Sequence, residues 1–290
     1  MRPPRPGDVL AGHRLLRILG EGTHGRVFLA EAPGPLGAAP ATVAIKVVPL
    51  HGPGSEHASH AADAAEAFRS AAAAAQRLQH PNVVAVFGHG VVDGLGWLAM
   101  EAVPGTDLGR HTHPARLLPE PLALLAAERV AQALAHAHAH GVVHRDLKPA
   151  NVLVHWPARL VKLADFGLAR AGDAAQTRTG LVPGSPAYMA PELLAGAVPT
   201  PHTDLYALGA LLFQLLTGRL PHEAASMGEL LRRVAHEPAP DLRTLRPGMA
   251  PAAAVLVARL LAKTPAGRPA DADAVASELR TIRHPSAGPG

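Results

Sequence analysis

The hydrophobic pattern of this chain changes character once, near Glu101–Gly105, and that change limits the folds open to it. Ahead of it lie short apolar runs with partial alternation: HRLLRILG from His13, RVFLAEA from Arg26, TVAIKVV from Thr42, NVVAVFGHG from Asn82 and GWLAMEAV from Gly96. Such runs, bounded by Gly, Pro and polar residues, read as strands. Behind it, PLALLAAERVAQALAHAHAHG (121–141) has helical spacing and a terminating glycine, and from Ala190 onward the chain reads as helices broken by Pro and Gly. Strands first and helices second is the signature of an α+β protein. One helix interrupts the strand half, over EAFRSAAAAAQRLQ, with Pro81 expected to end it. PGPLGAAPA and HGPGSEHASH read as loops, the second a solvated stretch with His51, His57 and His60, and the closing HPSAGPG reads as a disordered tail. There is no internal repeat.

Composition narrows the partners. The chain has 290 residues, 48% hydrophobic and 17% charged, enough to bury a sizeable core. The sequence pI is near 9.9, yet 27 Lys+Arg against 23 Asp+Glu leave a net charge of only +4, with no block of like charges. A nucleic-acid partner is therefore not expected. The lack of cysteine excludes disulfides, thiolate metal sites and cysteine nucleophiles. The longest apolar stretch, Leu205 to Leu216, contains Gln214 and is too short to cross a bilayer, and the first residues lack the apolar core of a signal peptide. The expectation is a cytoplasmic chain without a membrane span.

Three segments concentrate chemistry. Gly20-Glu-Gly-Thr-His-Gly25-Arg-Val27 is a glycine-rich loop between two strand-like runs. Glycines let backbone N–H groups approach phosphates, but a plain hairpin turn reads the same way. A dinucleotide fold would place a helix after this loop, whereas a strand-like run follows. Val43-Ala44-Ile45-Lys46 puts one lysine on an otherwise apolar strand, open to a solvent or a phosphate role. His144-Arg-Asp146-Leu-Lys148-Pro-Ala-Asn151 is far more specific, with its polar groups held between the apolar runs GVV and VLV. Asp146 can accept a proton from a hydroxyl, Lys148 can neutralise a phosphate, and Asn151 can ligate a metal. Asp165-Phe-Gly167 adds a metal-ligating carboxylate, and Ala190-Pro-Glu192 closes a segment of loop character. His136 and His140 share a helix face at i, i+4; with no third ligand in reach of the pattern, a zinc site is not expected.

Taken in order, G-x-G-x-x-G-x-V, V-A-I-K, H-R-D-L-K-P-A-N, D-F-G and A-P-E resemble the motif set of the eukaryotic-type (Hanks-type) protein kinases, and most of all the bacterial serine/threonine protein kinases. The resemblance covers about His13 to Arg283. It implies a bilobal protein-kinase fold: an N-terminal extension over 1–12, an N-lobe over 13–101 built on an antiparallel sheet with one main helix, a hinge over 102–105, a mostly helical C-lobe over 106–283 and the tail 284–290. It implies ATP as substrate and Mg²⁺ as cofactor, with Mn²⁺ as a substitute, protein partners carrying Ser or Thr hydroxyls, and a homodimer formed through the N-lobe.

The roles carried over are these. Leu19, Gly20, Glu21, Gly22, Thr23, His24, Gly25, Arg26 and Val27 cover the ATP phosphates, and Lys46 holds the α- and β-phosphates. Asn151 and Asp165 bind the metal, Asp146 orients the substrate hydroxyl, and Lys148, two places on, marks the serine/threonine form of the loop and stabilises the γ-phosphoryl group. The adenine lies between Val27 and Ala44 on one side and Leu153 on the other. Met100 guards the back of its pocket, Glu101 and Val103 offer backbone hydrogen bonds, and Asp107 meets the ribose. Asp204 braces the catalytic loop, His138 matches a histidine common ahead of that loop, Arg268 pairs with Glu192, and Ser185 contacts the loop. Arg145 pairs with a phosphate on the activation segment, for which Thr177 and Thr179 are the candidate sites.

One position departs from the pattern. Kinases of this kind carry a glutamate on the helix after V-A-I-K, which pairs with the lysine; here Ala71 stands in its place, inside the run Ala71–Ala75. Glu66 is five residues earlier and turned about 140° around the helix. Three readings stay open: Lys46 works without a helix partner, a shifted helix brings Glu66 to it, or the chain is a nucleotide-binding pseudokinase that acts as a binding module.

Overall fold

A computed structural model of the chain describes residues 3–22, 25–33, 41–50, 58–166 and 186–284. The described residues form two compact units, one drawn from 3–80 and 84–104, the other from 81–83, 105–166 and 186–284. The two expected loops at 34–40 and 51–57, and residues 285–290 of the expected tail, lie outside the described residues.

The first unit is a six-stranded antiparallel sheet: β1 (Val9–Leu10), β2 (His13–Gly22), β3 (Gly25–Glu31), β4 (Thr42–Pro49), β5 (Val86–Val92) and β6 (Leu95–Met100), in the order β1-β2-β3-β4-β6-β5. β1 falls within the stretch read as an extension, and pairs with β2, Val9 opposite Arg14. β4 is central and buried on both faces, so its two-residue period sorts its side chains into two environments. Val43, Ile45 and Val47 join Leu15, Phe28, Ala30 and Ala99 in one hydrophobic core. Ala44 and Lys46 take the opposite face.

α1 (Ala58–Gln76) packs on β5 and β6. Its buried positions Ala64, Phe68, Ala72 and Ala75 follow helical spacing. Phe68 is fully buried and lies over Gly96, where a Cβ would come within 2.9 Å of the Phe68 ring. A bare glycine on the sheet and a large ring on the helix are thus a matched pair, and burying that ring contributes about 2–3 kcal/mol. The helix ends at Gln76, ahead of Pro81: the Arg77 and Leu78 amides turn onto the Ala74 and Ala75 carbonyls, Leu78 is buried, and the Gln76 side chain donates to the Phe87 carbonyl at 3.2 Å. Tertiary anchoring of Leu78 and Gln76, and not the proline, stops the helix.

The second unit holds a small antiparallel sheet of β7 (Thr106–Asp107), β8 (Val152–His155) and β9 (Leu160–Leu163). Its described helices are α2 (Glu120–Ala139), α3 (Pro191–Leu194), α4 (Pro201–Thr217), α5 (Met227–His236), α6 (Leu242–Leu245), α7 (Pro251–Leu260) and α8 (Ala272–Arg283). α2 packs on α4 and α8. α2 ends as expected, with Gly141 at φ +72° just past it. α4 is the long apolar stretch of the sequence, buried almost all round. No described helix is long and apolar enough to cross a membrane. Pro81–Val83 is strapped to β9: the Leu163 amide donates to the Asn82 carbonyl at 2.8 Å, and the Asn82 side chain donates to the Val161 carbonyl at 2.9 Å.

Candidate active site

The segment His144–Asn151 is irregular backbone, so its hydrogen bonds have to be accounted for one by one. Asp204, in the first turn of α4 and 1% exposed, is the centre of that accounting. Its carboxylate accepts from the His144 amide at 2.8 Å, the Arg145 amide at 2.9 Å and the His138 side chain at 2.8 Å. A buried carboxylate is costly unless donors surround it, and these three supply that surround. The support matters because Arg145 sits at φ +71°, a left-handed conformation that a non-glycine residue holds only when its surroundings fix it.

His144 is fully buried and works as a two-sided spacer. Its Nε2 donates to the Ala164 carbonyl at 2.8 Å, which leaves Nδ1 to accept from the Asp146 amide at 3.3 Å. Its ring lies edge-on to that of Phe166, with centroids 4.8 Å apart. The Ala164 amide in turn donates to the Asn151 carbonyl at 2.9 Å. The residue before Asp165 is therefore tied to both ends of the loop that carries Asp146 and Asn151. Asp165 itself is at φ +67°, a second left-handed non-glycine residue in the same small region.

Asp146 faces Lys148 and Asn151. Lys148 Nζ donates to Asp146 Oδ2 at 2.6 Å, and Asn151 Nδ2 donates to the Asp146 carbonyl at 2.8 Å and to Oδ2 at 3.3 Å. Both side-chain contacts fall on Oδ2, so Oδ1 is the oxygen left to take a hydrogen bond from a hydroxyl. Because the Asn151 amide nitrogen is committed to Asp146, its side-chain oxygen is the group turned to other use. An amide oxygen and the Asp165 carboxylate are hard oxygen donors, few in number, which fits magnesium held in part by phosphates. Among the described residues no group of three or more His, Cys, Asp or Glu could hold an ion unaided.

In the first unit, β2 and β3 form a hairpin with Gly22 opposite Gly25; Thr23 and His24, at its tip, lie outside the described residues. The three glycines differ. Gly25 is at φ +114°, and a Cβ there would lie 2.0 Å from the Val47 carbonyl oxygen, so the fold itself demands glycine. At Gly20 and Gly22 a Cβ would meet nothing within 4 Å. Nothing among the described residues requires their bareness. Glu21 and Arg26, expected at the phosphates, pair with each other across the hairpin at 2.7 Å. Leu19 is 43% exposed and sits in a bulge between the Ile18 and Gly20 pairings.

Strand register brings several expected residues together. Val27 is opposite Lys46 and Lys46 opposite Leu98, while Ala44 is opposite Met100, so Val27, Ala44, Lys46 and Met100 share one face of the sheet. Lys46 is 5% exposed. The Glu101 amide, expected at the adenine edge, donates to the Ala85 carbonyl at 2.8 Å; Val103 follows two residues on, half-buried. In the second unit, Asp107 is opposite Leu153, and its Oδ1 accepts from the Gly109 amide at 2.8 Å, capping the 3-10 turn Leu108–His111.

The Ala71 question is narrowed by α1. Ala71 is half-buried, whereas Glu66 is exposed and pairs with Arg69 at 3.3 Å. Asp63 is exposed as well.

Three comparisons with known proteins bear on these residues. The family model for the protein kinase domain matches residues 13–279. The chain belongs to the protein kinase family. This kinase domain is 39% identical over 269 residues to serine/threonine-protein kinase PknJ of Mycobacterium tuberculosis, covering 90% of this chain and 44% of that protein. It is 38% identical over 284 residues to serine/threonine-protein kinase pkn3 of Myxococcus xanthus, covering 93% of this chain and 50% of that one. It is 37% identical over 281 residues to the DNA damage-responsive serine/threonine-protein kinase RqkA of Deinococcus radiodurans, covering 94% and 40%. The chain spans about half the length, or less, of these curated relatives. The crystal structure of Rad53 1-466 with AMP-PNP shares its fold, with a TM-score of 0.73 at 22% identity, covering 92% of this chain and 64% of that one. The bilobal kinase fold and the likeness to bacterial serine/threonine kinases, both expected from the motifs, hold.

Elsewhere in the kinase domain, Arg268 makes a two-pronged pair with Glu192, both contacts at 2.7 Å, and donates to the His202 carbonyl at 2.8 Å. The planar guanidinium suits this fork. Motif reading did not foresee what lies beside it. Arg268 stacks 5.1 Å above the Tyr206 ring, and burial raises the Tyr206 hydroxyl well above its ordinary range. Lys263 donates to the Val234 carbonyl at 2.7 Å and lies 3.1 Å from His222 Nε2. Burial, and then the neighbouring Lys263, push His222 down to about 4; burial lowers Lys263 to about 8. Tyr188 donates to Gln214, the one polar residue of the apolar stretch in α4, and burial pushes its hydroxyl up to about 12. The His136 and His140 rings stand 4.4 Å apart, with His140 Nδ1 on the His136 carbonyl at 2.8 Å; burial, then His140, lower the His136 pKa. Ser185, Thr177, Thr179 and Gly167 lie outside the described residues.

Proposed function

We propose that the chain is the catalytic domain of a serine/threonine protein kinase, which transfers the γ-phosphoryl group of Mg-ATP to Ser or Thr hydroxyls of protein substrates and phosphorylates its own activation segment at Thr177 and Thr179. The observation that carries this reading is the Asp146–Lys148–Asn151 cluster suspended from the buried Asp204 carboxylate.

Phosphoryl transfer needs positioning and charge neutralisation more than covalent help. Asp146 Oδ1 takes the hydrogen bond of the attacking hydroxyl and fixes its direction. Lys148, on the other oxygen of the same carboxylate, lies one hydrogen bond from the reacting hydroxyl and offers its charge to the transferring group. Asn151 and Asp165 would hold the metal, which when bound shields the nucleotide's phosphate charge. The bareness of Gly20 and Gly22 supports close approach of backbone amides to the phosphates, and Lys46 completes their neutralisation. By the chain's likeness to this family, the adenine is met by Val27, Ala44 and Met100, which share one face of the sheet in the first unit, and by Leu153 of the second. The carbonyl of Glu101 and the backbone of Val103 meet its edge, and Asp107, while capping its turn, meets the ribose. Arg145 receives the activation-segment phosphate.

In kinases of this kind the helix position held here by Ala71 carries a glutamate that pairs with the lysine. A charge-assisted hydrogen bond contributes about 1.5–3 kcal/mol, so the alanine at this position costs roughly ten- to a hundredfold in rate. The use of ATP and magnesium places the domain in the cytoplasm, with Mn²⁺ able to substitute, and two copies associate through the first unit.

Transfer of labelled phosphate from ATP to the protein itself and to a generic basic protein tests the reading. Wild type is expected to label both, with modified Thr177 and Thr179 found by mass spectrometry, and Asp146→Asn to be silent. Equal signal from both proteins removes the enzyme reading. Nucleotide-dependent thermal stabilisation without transfer would turn it into the pseudokinase.

A further inference from the structure

Arg232, Arg233, Arg243, Arg259, Arg268, Arg280 and Arg283 of the second unit each pair with a carboxylate, and Arg129 and Arg246 donate to the Gln132 side chain and the Leu216 carbonyl. Arg110, Arg116, Arg159 and Arg219 are exposed, and among the described residues none of the four pairs with a carboxylate. Three of them, Arg110, Arg116 and Arg219, are gathered in one place. Arg110 lies in the 3-10 turn Leu108–His111 and Arg116 in the next, Pro114–Arg116. Gly218 abuts that second turn so closely that a Cβ on it would come within 2.7 Å of the Pro114 nitrogen, which puts Arg219 alongside. His111 and His113 belong to the same surface. Three nearby carboxylates are already engaged: Asp107 caps Gly109 at 2.8 Å, Glu120 accepts from the Ala250 amide at 3.2 Å, and Glu223 accepts from the Leu220 amide at 3.3 Å.

This basic surface borders the catalytic loop. The turn Leu108–His111 packs against Pro149–Asn151, the turn that ends in Asn151. The turn that carries Arg110 is therefore a neighbour of the loop that carries Asp146. We propose that Arg110, Arg116 and Arg219 form a specificity rim that selects protein substrates with acidic residues beside the phosphorylated Ser or Thr. This inference rests on the phosphotransfer reading of Asp146 and names the substrate class for it. Exposed guanidinium groups recognise carboxylates by paired hydrogen bonds and draw acidic partners in by long-range attraction. A single-stranded nucleic acid fits less well, because such partners also need aromatic faces to stack on. Trp156, the aromatic at this surface, is half-buried and turned edge-on to His111, with centroids 6.1 Å apart.

The test compares threonine peptides flanked by glutamates, by lysines or by neutral residues, using wild type and the triple variant Arg110→Glu/Arg116→Glu/Arg219→Glu. Wild type is expected to favour the acidic peptide over the neutral one by about tenfold in kcat/KM, with the advantage shrinking as salt is raised. The triple variant should lose or invert the preference while keeping its turnover of the neutral peptide and its KM for ATP. An unchanged preference in the variant, or a wild type that favours the basic peptide or none, overturns the rim. A second measurement does not depend on catalysis: fluorescence anisotropy of the labelled acidic peptide with Asp146→Asn, with and without the three reversals. If no peptide is phosphorylated but the peptide binds and the reversals abolish binding, the phosphotransfer reading fails and the rim stands as a binding surface for acidic peptides. If an oligonucleotide of equal charge binds tighter than the peptide, the acidic-peptide assignment is wrong.

Discussion

The glycine hairpin of the first unit and the catalytic loop of the second are both built from irregular or tightly turned backbone, but they are stabilised in opposite ways. In the catalytic loop the chemical groups are held by internal hydrogen bonds: Asp204 takes two amides and a histidine, His144 links Asp146 to Ala164, and Asn151 is held to Asp146. In the hairpin, Gly20 and Gly22 touch nothing that their missing side chains would disturb, and the Glu21–Arg26 pair lies on the surface, where such pairs contribute little. The contrast follows from the work of each. Groups that meet developing charge gain most when they are fixed before the reaction begins. A segment that a nucleotide must enter and leave gains from having its backbone bare and its contacts supplied by the ligand.

The largest expected effect breaks the second region. Asp204→Ala leaves two buried amides and a histidine without their acceptor and Arg145 in a left-handed conformation without support, a loss of about 3–5 kcal/mol seen as a large fall in thermal midpoint. Next comes a pair inside the hairpin. Gly25→Ala forces a Cβ onto the Val47 carbonyl and should cost about 2–4 kcal/mol of stability. Gly20→Ala should leave the thermal midpoint nearly unchanged and raise KM for ATP instead. If both glycines behaved alike in the melting experiment, the distinction between a fold glycine and a ligand glycine would be lost. Smaller still is Ala71→Glu, which restores the glutamate that kinases of this kind carry at this helix position and is expected to raise turnover by up to about tenfold, while Glu66→Ala changes nothing measurable beyond its surface pair with Arg69. The smallest effect concerns pH. His222 is held near 4 in the folded chain, below its ordinary 6.5. Between those values the unfolded chain takes up a proton that the folded one refuses, so stability falls as pH drops through that window. His222→Gln should flatten this part of the stability curve by on the order of 1 kcal/mol.

Much of the fold was legible because its signals are local. Alternating runs marked five strands of the first unit, and the stretch around Leu205–Leu216 was readable as a buried helix. The catalytic loop was legible through its motif, and the roles of Asp204 and Arg268 entered through family resemblance. Features set by contact between distant residues were not readable. β1 has only two residues and no pattern of its own. α1 stops at Gln76 because Leu78 and Gln76 find tertiary partners, a cause invisible beside the obvious Pro81. The buried Glu128 on α2 is held by Arg283 and by Arg280 from α8, across 155 residues of sequence to the farther one. The three hairpin glycines look alike in sequence, and only their surroundings separate Gly25 from Gly20 and Gly22. The unpaired arginines beside the catalytic loop escaped notice because no run of like charge announces them.

Amide hydrogen exchange, with and without a magnesium complex of a non-hydrolysable ATP analogue, tests the contrast between the two regions most directly. The His144 and Arg145 amides should be strongly protected in the free protein and little altered by nucleotide, while amides of Gly20–Gly22 should exchange fast when free and slow markedly when it binds. Rapid exchange at His144 and Arg145 in the free protein, with protection appearing only on nucleotide binding, would contradict a catalytic loop assembled in advance.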